Sequence, residues 1–187
     1  HNPISPCRNK SWSYWKENHI SSCRDPNLFY HDKKFWINYT ANTSDGASCI
    51  ALCSSEDLIH WEDQGPILIG PKDGYEPNLN GKHKQGSLES SNLINKNNRW
   101  YLLVQFKKTN TPITNWIFES KDMYSFDLYS GREFWANAYT VEIVKNKNCK
   151  SLLACSGPIR FGEVNWNEEL PAGSFISTEE QLRQWSK

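Results

Sequence analysis

The chain repeats itself at an interval of 65 residues. Phe35-Trp36 recurs as Trp100-Tyr101 (100 − 35 = 65), Asn27-Leu28 as Asn92-Leu93, Ser55-x-Asp57-Leu58 as Ser120-x-Asp122-Met123, and Trp61 as Phe126. Four landmarks hold one offset without a gap. Self-similarity at a fixed period means that one supersecondary unit is built several times and packs against its own copies, as in a propeller or a solenoid.

The content of each unit favours the propeller. In the first, residues 27–30 form a short apolar strand, 31–34 a polar turn, and 35–40 a strand of alternating bulky and polar residues. Residues 48–53 then form a third strand, and 59–62 enter a short outer strand before Gly65-Pro66 ends the unit. The second unit repeats this over 91–95, 100–106 and 115–119. A more eroded third copy runs through 140–144, 151–155 and 159–164. Four antiparallel strands per repeat make a propeller blade. A helical period is expected only at 178–185, where Thr178-x-x-Gln181 resembles a capping box.

Asn2-Pro3-Ile4 echoes Gly65-Pro66-Ile67, the triplet with which a blade ends (65 − 2 = 63). The expected organisation is therefore one propeller domain. Residues 1–24 are the tail of a preceding blade with its connector, 25–70 and 71–135 are blades, 136–170 is the eroded blade, and 171–187 is a C-terminal tail. Three blades do not close a ring. The missing blades are expected from a partner chain, a second copy or the untruncated protein.

Lys plus Arg and Asp plus Glu both number 21, which disfavours a nucleic-acid groove or an anionic membrane surface as partner. No apolar run approaches the roughly 18 residues of a membrane helix. Nine Trp, eight Tyr and eight Phe are mainly core, with Trp36, Trp61, Trp100 and Trp166 between blades. Six cysteines match no zinc spacing, and free thiols are expected over up to three disulfides. The sequons at Asn9, Asn38 and Asn42 read as coincidence in an Asn-rich chain. His31 and His60 fall on a turn and a strand edge, so neither a metal nor a cofactor is expected. The compartment stays unresolved.

The most specific local pattern is Cys23-Arg24-Asp25-Pro26-Asn27-Leu28-Phe29-Tyr30, followed by Phe35-Trp36 and Ser55-Glu56-Asp57-Leu58-Ile59-His60-Trp61. The next unit begins Ser87-Leu88-Glu89-Ser90-Ser91-Asn92-Leu93-Ile94. Over roughly residues 2–170 this resembles the blade motif of the five-bladed glycosidase propellers, glycoside hydrolase families 32, 43, 68 and their relatives. The resemblance implies an all-β partial five-bladed β-propeller of about three four-stranded antiparallel blades plus the tail of a preceding one. It further implies Glu89 as general acid and Asp25 as the carboxylate that stabilises the transition state. The nucleophile or base in these families is an Asp on the preceding blade, and no Asp precedes Asp25. This chain alone is therefore expected to be inactive on glycosides. The chain departs from the family pattern in carrying Ser90-Ser91 after the acid and no His over 136–144.

The chemistry needs such a pair. The first strand of a blade lines the central channel, so a carboxylate at its start faces the channel mouth. Asp25 and Glu89 hold nearly equivalent places (89 − 25 = 64, one short of the repeat). Two carboxylates on neighbouring strands can flank one glycosidic bond, one as acid and one as anion. Like charges that close raise one pKa. Arg24, with Asp73, Tyr75 and His83 from the polar loop 70–86, is the expected sugar-contacting set. The plainer alternatives are an Asx-turn at Asp25 paired with Arg24, a solvated strand end at Glu89, and a surface loop at 70–86. Asp57 and Asp122 recur with the repeat and read as turn formers. The expected ligand is a fructoside, arabinoside or xyloside. A non-catalytic carbohydrate-binding propeller is the alternative, and a protein-interaction propeller of the kelch or WD type is disfavoured by the long period.

Overall fold

The computed structural model describes residues 5–15, 23–71, 87–107, 114–135, 139–145, 151–156, 160–166 and 172–175. These form three four-stranded antiparallel sheets. The first runs in the order β1 (Cys23–His31), β2 (Lys34–Asn42), β3 (Ser48–Ser55) and β4 (Glu62–Ile69). The second comprises β5 (Leu88–Lys96), β6 (Arg99–Phe106), β7 (Thr114–Ser120) and β8 (Arg132–Trp135). The third comprises β9 (Tyr139–Lys145), β10 (Ser151–Ser156), β11 (Arg160–Asn165) and β12 (Ala172–Phe175). Each is a simple up-and-down meander of the kind that makes a propeller blade.

Alternation along the strands explains why the sheets stack. On β3, Ile50 and Leu52 face one side while Cys49, Ala51 and Cys53 face the other, and all five are fully buried. Ile50 and Leu52 join Trp36, Ile67 and Leu68 in a core shared with Leu88, Trp100, Leu102, Val104, Phe106 and Phe118 of the second sheet. The opposite face of the second sheet, through Leu103, Ile117 and Phe134, packs on Val141 of β9. The opposite face of the first sheet is covered by the segment 5–15 through Cys7, Trp12 and Trp15.

The aromatic landmarks divide between these interfaces. Trp36 and Trp100 are buried in the first core, Trp61 packs at the margin of the cysteine-containing one, and Trp166 meets Tyr101 in a tilted ring contact at 5.4 Å between the second and third sheets. Polar stitches run beside the cores. Asn38 donates to the Ser91 carbonyl at 2.9 Å, and Asn92 donates to the Val141 carbonyl at 3.1 Å.

Several details differ from the sequence expectation. Strand β4 begins at Glu62 and runs through Gly65-Pro66 instead of ending there. As the edge strand it pairs with β3 alone, so the missing amide of Pro66 deprives no second neighbour of a partner, and the irregular pairing between Leu52 and Cys53 absorbs Gly65 at φ 80. The second sheet closes with β8 after a 3-10 turn, Leu128–Ser130, that Asp127 caps by accepting from the Tyr129 amide. The third sheet closes with β12, beyond residue 170. The region 178–185 and the triplet Asn2-Pro3-Ile4 lie outside the described residues. Cys7, Cys23, Cys49 and Cys53 are free thiols. Of the sequon asparagines, Asn38 and Asn42 are buried.

Candidate functional site

The three sheets begin with the same backbone device. Pairing of the first strand with the second is interrupted between Arg24 and Asn27 in β1, between Glu89 and Asn92 in β5, and opposite Cys155 and Ser156 in β9. Each interruption inserts one extra residue into the first strand, a β-bulge. The bulged residue is left-handed in all three: Asp25 at φ 53, Ser90 at φ 53 and Thr140 at φ 48. None is glycine, and a β-branched threonine there is a genuine outlier. The conformation costs an L-residue on the order of 1–2 kcal/mol. It persists only where the surroundings enforce it, and bulges of this kind re-aim side chains next to functional sites.

The enforcing contacts form a chain across the strand starts. Thr40 Oγ1 donates to Asp25 Oδ2 at 3.1 Å and accepts from the Ser90 amide at 3.3 Å. Gln105 stands at the position of Thr40 in the next sheet (105 − 40 = 65). It accepts from Thr140 Oγ1 at 3.1 Å and donates through Nε2 to Glu89 Oε1 at 3.2 Å. In both sheets, a polar residue on the second strand thus holds its own sheet's carboxylate and the next sheet's bulge.

Arg24 joins the two acids. Its Nη2 donates to Glu89 Oε2 at 2.9 Å, and its Nε lies 3.5 Å from Asp25 Oδ2. The three side chains differ in access: Arg24 is 47% exposed, Asp25 32% and Glu89 9%. The site is a buried, doubly clamped carboxylate beside an accessible one, with a guanidinium spanning both.

The structure therefore brings together Asp25, Glu89 and Arg24, and it revises how they relate. The residue equivalent to Glu89 is Arg24 (89 − 24 = 65), while Asp25 corresponds to Ser90. A cation, not a bare like-charge contact, lies between the carboxylates. Neither the solvated strand end at Glu89 nor an isolated Arg24–Asp25 pair describes them. Asp73, Tyr75 and His83 lie outside the described residues. Thr40, Gln105 and Thr140 were not singled out from sequence. The available signal was Gln105, a polar residue inside the apolar run Leu102-Leu103-Val104-Gln105-Phe106 and 1% exposed.

The other marked residues have structural partners. Asp57 Oδ1 accepts from the Ile59 and His60 amides, each at 2.8 Å, and Asp122 Oδ1 from those of Tyr124 and Ser125. His60 Nδ1 lies 2.7 Å from Asp57 Oδ2, and the His31 ring meets Trp100 edge-on at 4.8 Å. Among the described residues no group of three or more His, Cys, Asp or Glu is placed to hold a metal.

This arrangement of sheets matches solved glycoside hydrolases. A Bombyx mori GH32 beta-fructofuranosidase superposes with a TM-score of 0.64 at 12% identity, covering 89% of this chain and 40% of that one. A family 117 glycoside hydrolase of the marine bacterium Zobellia galactanivorans gives 0.60 at 13%, covering 90% and 60%. An endo-arabinase from Bacteroides thetaiotaomicron gives 0.56 at 15%, covering 86% and 58%. The fold is that of the propeller glycosidases. The chain spans between 40% and 60% of the length of these three structures. No family model matches it, and no curated protein matches it in sequence.

Proposed function

We propose that this chain is part of a five-bladed glycosidase propeller and that Arg24, Asp25 and Glu89 face the scissile end of a glycan such as a fructoside, arabinoside or xyloside. One observation carries this reading: a single guanidinium spans carboxylates from the first strands of neighbouring sheets, beside bulges strained in the same way in each sheet. Glu89 is the general acid. Asp25, the more exposed of the two, stabilises positive charge developing at the sugar ring. Arg24 fixes their relative positions and, half exposed beside them, borders the sugar. The nucleophile or base comes from a blade outside this chain, supplied by the longer protein, a partner chain or a second copy.

The test is hydrolysis of aryl fructosides, arabinosides and xylosides by the full-length protein and by this chain. Expected are turnover by the former, a loss on the order of 100-fold or more in Glu89→Gln, and none by the chain alone. Unchanged turnover in Glu89→Gln would remove the assigned acid.

One observation favours a second reading, glycan binding without hydrolysis. Both Glu89 oxygens are already engaged, by Arg24 and by Gln105. A full-length protein that binds these sugars in calorimetry yet turns none over establishes that alternative.

A further inference from the structure

A second chemical feature lies on the other face of the first sheet. The segment 5–15 is fastened there by directional bonds. Trp12 Nε1 donates to Asp63 Oδ2 at 2.8 Å, Ser13 bridges to Thr43, the Tyr14 amide donates to the Asn42 carbonyl at 2.9 Å, and the Ser44 amide donates to the Trp12 carbonyl at 2.6 Å. The docking seats Cys7, 1% exposed, among Tyr39, Ala41, Cys49, Ala51 and Cys53, with Cys23 packed at the margin. There the Cys7 thiol hydrogen-bonds to Cys23, the first residue of β1. Two thiols from separate segments thus meet one residue ahead of Arg24.

We propose that Cys7 and Cys23 are a reversible disulfide pair that locks the segment 5–15 onto the start of the candidate site. The hydrogen bond from Cys7 lowers the pKa of Cys23, which makes Cys23 the more readily ionised thiol of the pair. Burial pushes Cys49 and Cys53 up to about 12, leaving them poor nucleophiles. The oxidant is a low-molecular-weight disulfide. The half-buried Cys23 thiolate attacks one of its sulfurs and expels one thiolate, forming a mixed disulfide. Cys7, on losing its proton to that thiolate or to solvent, attacks the Cys23 sulfur and expels the second thiol. Two protein thiols are oxidised, one external disulfide is reduced to two thiols, and one S–S bond is exchanged for another.

The test equilibrates the whole chain with oxidised and reduced glutathione over a range of ratios, traps free thiols with N-ethylmaleimide, and maps peptides without reduction. Expected is a Cys7–Cys23 link that appears as the ratio becomes oxidising and disappears on adding dithiothreitol. Oxidation should raise the melting temperature by on the order of 5–10 °C. Cys23→Ser should abolish both the link and the shift, while Cys49→Ser should leave both. If a serine variant misfolds, the oxidised and reduced wild-type chains decide the matter alone. Full alkylation of Cys7 and Cys23 at every ratio, a link from either to another cysteine, or no melting shift on linking would each overturn the proposal.

Discussion

The first and second sheets share one frame and put it to different uses. At the strand start the same bulge carries Arg24-Asp25 in one and Glu89-Ser90 in the other, so a cation in one sheet meets an anion in its neighbour. At the start of the second strand, the aromatic pair Phe35-Trp36 corresponds to Trp100-Tyr101. Trp36 and Trp100 both enter the core between the sheets although they are neighbouring positions, not equivalent ones. Stacking requires this. Each sheet offers opposite faces to its two neighbours, and successive residues of a strand point to opposite faces. A repeat can therefore be read for frame from equivalent positions, but its function lies in how non-equivalent positions meet across the interface.

The widest separation between equivalent residues should appear at Phe35 and Trp100. Trp100 is buried against Phe29 at 6.0 Å and His31 at 4.8 Å, both from the neighbouring sheet. Phe35 is only partly buried, against Tyr30 at 5.1 Å. Trp100→Ala should lower unfolding free energy by about 3–5 kcal/mol in urea denaturation, and Phe35→Ala by about 1 kcal/mol. Equal losses would show that the interface between the sheets is not where the repeat keeps its stability.

That interface also marks how far the sequence could be read. The 65-residue offset was visible because Trp, Phe and Asp-turn landmarks are fixed by packing and turn geometry in every copy. The bulges were not visible, because the glycine that normally announces a left-handed bulge is replaced by Asp25, Ser90 and Thr140. The 65-residue offset pairs Arg24 with Glu89, and Asp25 stands one residue off that frame, at the bulge itself. The closing strands β8 and β12 have four residues each, too short for alternation to stand out. The candidate acids themselves were legible, whereas Arg24 as their bridge and Gln105 as a clamp depend on contacts between sheets that no single repeat encodes.

The Arg24–Glu89 contact is the next largest test of the comparison. Arg24→Ala takes a cation from a carboxylate that is only 9% exposed, so it should destabilise by about 1–3 kcal/mol, tempered by the half-exposed arginine. Glu89→Gln keeps shape and most hydrogen bonds. In a double-mutant cycle the two changes should couple by at least about 0.5 kcal/mol. Additive effects would mean that opposite charges at equivalent strand positions do not join the sheets.

The smallest separation is expected at the equivalent turns. Asp57 and Asp122 each accept two backbone amides, but the first turn carries His60 where the second carries Ser125 (125 − 60 = 65). The His60 ring, followed by the His60 and Ile59 amides, holds Asp57 well below the usual carboxylate range. Its folded pKa lies under its unfolded value of about 3.9, so the stability it contributes is complete above that value. It is lost as the pH falls through it toward the folded pKa. Asp57→Asn keeps an oxygen for the amides and removes the charge facing His60. It should lower the melting temperature slightly at pH 6, with a penalty that shrinks toward pH 3. At Asp122, where Ser125 takes the place of the histidine, the Asn variant should show a smaller penalty at pH 6. Paired thermal scans of the two variants and the parent at both pH values measure this difference. A penalty for Asp57→Asn that grows on acidification would contradict the sign derived from the turn's geometry.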